Sequence, residues 1–195
     1  MSDVSRRGFM AAGGATALAL ASCGGDTDRE TAERGPAAGD LAVVNFALVL
    51  EYFEEDFYRQ ALAKNVVSGS ARRLFEEIYE NEQAHVKSLE VTARSLGRAA
   101  APPRTKFEEV FAAGQERTLR VAADFENTGA GAYLGQAKNT RSDAVLAAAL
   151  SIHTVEARHA AAVNDLIGVP YLPDGAFAEP LGPEEVMRRV RPYFA

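Results

Sequence analysis

Four long stretches of the chain repeat apolar residues every three or four positions, the spacing of one face of an α-helix. The first predicts a helix from about Leu41 to Val67, with Val44, Leu48, Glu51, Glu55, Tyr58 and Leu62 on one face. The second predicts a helix from about Ala71 to Leu96, with Leu74, Ile78, Glu82, His85, Leu89 and Leu96 facing inward and Gly97 as its stop. After Pro102-Pro103, Thr105 followed by Glu108 reads as a capping box. The third helix, opened there, is expected to reach about Gln136 or Lys138, with a face of Leu119, Ala122, Glu126, Gly129 and Tyr133. Gly129 and Gly131 each disfavour a helix interior by up to about 1 kcal/mol and mark a bulge or a close helix contact. The fourth helix, about Asp143 to Ile167, presents Val145, Ala149, Ile152, Glu156, His159, Val163 and Leu166, and Gly168 and Pro170 end it.

Helices of this length run roughly 40 Å at about 1.5 Å per residue and need partners along their whole extent. The expected fold is all-α, a four-helix bundle over residues 41–167. The link between the second and third helices is short enough for a simple up-down bundle and just long enough for a crossover, so topology is left open. The tail over 168–195, rich in proline and aromatics, is expected to form a strap over a bundle end with a short helix near Glu184 to Val190.

Composition narrows the function. Among 195 residues, 27 acidic against 21 basic side chains give a net charge of −6, without the basic stripe of a nucleic-acid binder. The cluster Arg188, Arg189, Arg191 reads as a solvated helix face. A single cysteine, Cys23, excludes an intrachain disulfide and a thiolate metal cluster. It follows a positive start, SRRGFM, and a short apolar run, AAGGATALALAS, a pattern of export signals that is too short to span a bilayer.

Each predicted helix carries a glutamate on its otherwise apolar face (the first carries Glu55 as well as Glu51), and two add a histidine three residues later: Glu82-Gln83-Ala84-His85 and Glu156-Ala157-Arg158-His159. Residues three apart share a face, so each pair offers a carboxylate and an imidazole to one point. Glu51 to Glu82 spans 31 residues and Glu126 to Glu156 spans 30, so the chain reads as two hairpins with one ligand plan. Four carboxylates and two imidazoles form the donor set of carboxylate-bridged pairs of iron or manganese in bundle cores. Tyr58 and Tyr133, seven positions after Glu51 and Glu126, lie on inward faces, where core packing is the default role and hydrogen-bonding a ligand or quenching an oxidising equivalent is the alternative. His153, three positions before Glu156, is either near the site or, the favoured reading, a flank residue with a surface partner. Glu55, one turn from Glu51, is either part of the ligand shell or, with Glu54 and Asp56, a solvated charge.

Two resemblances belong to the N-terminus. Arg6-Arg7 with Phe9 resembles a twin-arginine export signal, and Leu20-Ala21-Ser22-Cys23 resembles a lipobox. Together they imply a signal over 1–22, lipidation at Cys23, a tether over 23–40, and a protein held by acyl chains at the outer face of the cytoplasmic membrane or elsewhere in the envelope.

The segments LVLEYFEEDFYRQAL, ENEQAHVKSL, FENTGAGAY and VEARHAAAVNDL resemble the ferritin-like superfamily, and within it the bacterial domains related to desiccation-related proteins. That resemblance implies a metal-ligand set of Glu51, Glu82, His85, Glu126, Glu156 and His159, two iron ions (or manganese) as cofactor, and ferrous iron with oxygen or peroxide as reactants. The chain lacks the cysteine cluster of rubrerythrins. A lipid anchor sits poorly with a closed ferritin shell. Two functions stay open: a ferroxidase or peroxide-consuming oxidoreductase, and a non-catalytic stress-protection or scaffold protein. A homodimer and the electron donor are likewise open.

Overall fold

The computed structural model describes residues 36–195; the expected signal, Cys23 and most of the expected tether lie outside them. The helices are α1 (Pro36–Ala63), α2 (Gly69–Leu96), α3 (Glu108–Ala112), α4 (Gln115–Ala137), α5 (Asp143–Leu166) and α6 (Pro183–Val190), closed by a 3-10 turn over Arg191–Tyr193. Among the described residues no helix is long and apolar enough to cross a membrane.

α1 begins earlier and ends earlier than its apolar pattern predicts. Proline suits a first helical position, where its missing N–H costs nothing. At the other end Asn65 takes a left-handed φ of 53° and Val66 N donates to Ala61 O at 3.1 Å, which closes the last turn. The third predicted helix is two helices. Gly114, at φ 89°, breaks the path between α3 and α4. Thr105 caps neither: its hydroxyl donates to the Asp56 carboxylate, so it ties the linker to α1 instead.

Three sets of bonds fix the topology. Asn45 Nδ2 donates to Arg98 O at 2.9 Å and Asn45 Oδ1 accepts from Ala100 N at 2.7 Å, so the chain leaves α2 beside the start of α1. Ser68 N donates to Gln115 Oε1 at 2.8 Å, so α4 starts at the opposite end. Buried Asp40 accepts from Arg141 N at 2.7 Å and Ser142 N at 3.0 Å, bringing the α4–α5 turn back to the start of α1. The linker over 97–107 therefore climbs the bundle. The architecture is a crossover four-helix bundle of two antiparallel hairpins, α1–α2 and α4–α5, that meet through α1 against α4 and α2 against α5.

Two separate apolar clusters fill it. One gathers Phe53, Phe57, Phe107 and Phe125, with ring centroids 4.6 to 6.2 Å apart. The other gathers Val44, Leu48, Leu89, Tyr133, Val145 and Ile152. The predicted C-terminal helix forms, but the tail lies along a flank and not over an end. Tyr193 packs on Phe125 at 4.9 Å, and Lys106 N donates to Tyr193 O at 2.8 Å, which pins the crossover linker.

Candidate metal centre

Each long helix delivers its glutamate to one level of the bundle, between the two apolar clusters. Glu51 comes from α1, Glu82 from α2, Glu126 from α4 and Glu156 from α5; all four are 0 % exposed. His85 and His159, one helical turn on from Glu82 and Glu156, are buried beside them.

The six side chains form two groups that share members. Glu51, Glu82, His85 and Glu156 make one; Glu82, Glu126, Glu156 and His159 make the other, and the donor atoms of each lie within 4.8 Å of one another. Glu82 and Glu156 belong to both groups, so either could serve both cations were a pair bound. Glu51 with His85, and Glu126 with His159, serve one group each.

The donor set fits a pair of cations. His159 Nδ1 lies 3.1 Å from Glu82 Oε1 and 3.3 Å from Glu126 Oε2, yet none of these three atoms has a hydrogen-bond partner. Both oxygens of Glu156 are likewise unpartnered, although His85 Nδ1 is 3.2 Å from Oε1. Donors held about 2.1 Å from one cation sit about 3.0 to 3.4 Å apart, depending on the coordination angle. The observed separations match that range; around His159 and Glu156 lone pairs converge without a hydrogen bond, while His85 Nδ1 contacts Glu51 Oε2 at 3.2 Å and Glu82 Oε2 at 3.3 Å.

Charge points the same way. Burial, followed by the repulsion of Glu51, pushes the Glu156 carboxyl up to about 8. Burial and the charges of Glu156 and Glu51 raise Glu82 well above the usual carboxylate range. Burial alone would raise Glu51 too, but hydrogen bonds from His85, Glu82 and Tyr133, with the charge of His85, outweigh it and lower Glu51. Burial opposes protonation of His85 and His159, yet the surrounding carboxylates win and raise both. Without cations the cluster keeps protons that exposed carboxyls would release; two cations would replace them.

Two tyrosines brace the site. Tyr58 Oη donates to Glu126 Oε1 and Tyr133 Oη donates to Glu51 Oε1, each at 2.5 Å. Burial and those glutamates hold both phenols well above their ordinary pKa, so they remain donors. The other two candidates stand outside. His153 Nδ1 lies 3.1 Å from Ala130 O, on the α4 backbone. Glu55 is partly exposed and accepts from Tyr79, so it belongs to the flank.

Glu54 takes the place expected of Glu55. It is 3 % exposed, and burial with the charges of Glu156, Glu126, Glu82 and Glu51 raises its carboxyl far above the usual range. The signal was in the spacing: 51, 54 and 58 follow the three-four rule as well as 51, 55 and 58 do. Asn81 was also missed. Its Nδ2 lies 3.0 Å from His159 Nε2, bridging α2 to α5. No pattern marks a flank asparagine that reaches a neighbouring helix.

The sequence profile of the ferritin-like domain family matches residues 39–169, more than half of the chain. The chain belongs to that family. No curated protein matches it. The matched region of this ferritin-like domain runs from the first turns of α1 to just beyond α5 and contains all six glutamate and histidine donors, both tyrosines, Glu54 and Asn81. It leaves α6 and the terminal turn outside.

Proposed function

We propose that this ferritin-like domain holds a carboxylate-bridged pair of iron ions, with manganese as the alternative metal, and oxidises ferrous iron or consumes peroxide at the cell envelope. The observation that carries the reading is the convergence of six buried donors on two points that share Glu82 and Glu156, with Glu82 Oε1, Glu126 Oε2, both Glu156 oxygens and His159 Nδ1 left without a hydrogen bond. Bound there, a ferrous pair would supply two electrons to oxygen or peroxide, peroxide taking two protons as well and leaving as two waters. The chain's own part is binding, orientation and dryness. Glu51 and Glu126 are aimed by Tyr133 and Tyr58, His159 is held by Asn81, and the phenylalanine cluster shields one side of the site from water.

The envelope location rests on the twin-arginine and lipobox patterns ending at Cys23, and kinship with desiccation-related proteins rests on the helix segments quoted above. Replacing Cys23 with alanine is expected to move the protein from the membrane fraction to the soluble fraction of the envelope.

The decisive experiment measures metal per chain, then loads ferrous iron without air and adds oxygen or peroxide while recording the optical spectrum. Near two irons per chain, with a ferric absorption that disappears in Glu51→Ala and Glu126→Ala, supports the reading. A folded chain that binds no metal and gives no response sinks it.

A further inference from the structure

The two hairpins share one ligand plan except at a single facing pair. Three residues after Glu51 stands Glu54; three residues after its counterpart Glu126 stands Gly129. In the bundle the two positions meet. A Cβ on residue 129 would lie 3.0 Å from Glu54 Oε1 and 3.0 Å from Glu156 Oε2. The glycine thus keeps open a space that both carboxylates enter.

Glu54 is 3 % exposed, and its Oε2 has no hydrogen-bond partner. The charges that act on it most strongly are the four glutamates of the centre. A carboxyl kept in a core without a partner costs free energy that leucine or methionine would not, so packing alone gives no reason for it. Resting on the proposed metal pair, we infer that Glu54 is a further carboxylate ligand of that pair, entering from the α1–α4 side through the space above Gly129, whereas the histidines enter from α2 and α5. The repeat is then broken at the site itself. One metal position gains an extra hard oxygen donor, which favours the higher oxidation state there, and the two positions bind with different affinity.

The test titrates the purified full-length chain with Co²⁺ in the absence of air, by calorimetry and by the visible cobalt bands, for wild type, Glu54→Gln and Gly129→Ala. The glutamine keeps the shape and removes the charge, and folding is checked by circular dichroism of the metal-free chains. In Glu54→Gln, one of the two binding steps is expected to weaken about tenfold or more, with cobalt bands that change as a ligand is lost. Gly129→Ala, with Glu54 intact, is expected to shift the same step and bands to a smaller degree, because the methyl group crowds that carboxylate. Wild-type affinities and bands in folded Glu54→Gln would make Glu54 a neutral core side chain and overturn the inference alone. A wild-type chain that takes up neither cobalt nor iron would overturn the metal reading itself. Should Glu54→Gln fail to fold, Gly129→Ala decides: unchanged affinities and bands there overturn the inference.

Discussion

Tyr133 on α4 donates its hydroxyl to Glu51 on α1 at 2.5 Å, across the interface between the two hairpins. The reverse bond, Tyr58 to Glu126, has the same length. Each hairpin thus supplies the phenol that orients the other hairpin's carboxylate, so the centre exists only when the hairpins are docked. Tyr58→Phe and Tyr133→Phe each delete a buried donor to a carboxylate, and each is expected to cost about 1–3 kcal/mol of stability. The near-symmetry predicts similar losses in denaturant melts. On the metal side they differ: Tyr133→Phe weakens the position next to His85, and Tyr58→Phe the one next to His159. A variant as stable as wild type would show that the phenols only fill space.

Stability of the metal-free chain is expected to fall as pH rises. Glu54, Glu82 and Glu156 have raised pKa values in the fold, so their contribution is complete below the unfolded value of 4.5 and is lost as pH rises through their folded values, which for Glu156 is about 8. The raised histidines act in the same direction, their contribution being complete below 6.5 and declining as pH rises from there toward their raised folded values. Within the centre Glu51, whose pKa is lowered, opposes, and outside it Asp56 and Glu90 do the same; the contribution of Glu51 is lost as pH falls below 4.5. Metal reverses the slope, because cations compete with those protons. Melting temperatures at about pH 5, 6.5 and 8, with and without metal, should therefore cross in trend. A metal-free melting temperature that rises across this range would contradict the charge distribution described.

Asn81 makes the two imidazoles unequal. It contacts His159 Nε2, and the residue at the matching position of the repeat is Val155, whose side chain has no polar group to offer. Asn81→Leu is expected to weaken the metal position at His159 by about 10–100-fold and to leave that at His85 nearly unchanged. A stepwise metal titration resolves the two; equal weakening of both steps would argue for general loosening of the bundle.

The periodic pattern already contained the helices and the six converging donors, because a glutamate on an apolar stripe at matched spacing has few other uses. What it did not contain depends on contacts between distant residues. The crossover is set by Asn45 holding Arg98 and Ala100, 53 and 55 positions away. The choice of Glu54 over Glu55 depends on a few tens of degrees of rotation of α1, which two overlapping three-four patterns leave undetermined. Thr105 offered a sound capping motif, but Asp56 took its hydroxyl. The break at Gly114 requires a left-handed φ that many glycines never adopt.

Gly131 and Gly135 explain the low helix propensity of α4. Leu181 N donates to Gly131 O at 2.9 Å, and a Cβ on residue 135 would fall 1.9 Å from Leu181 O, a backbone atom that cannot swing aside. The strap leading to α6 therefore docks on bare helix backbone. Gly135→Ala improves the intrinsic propensity of α4 by up to about 1 kcal/mol. The clash it introduces is expected to outweigh that gain, since overpacking typically costs about 1–3 kcal/mol. The strap around Leu181 should then lift, while the metal donors, which lie on the inner face, stay in place. Limited proteolysis is the direct measure: cleavage within 171–178 should speed up in Gly135→Ala, with metal content unchanged. A variant that is cut no faster and melts higher than wild type would mean that the strap does not need the glycine.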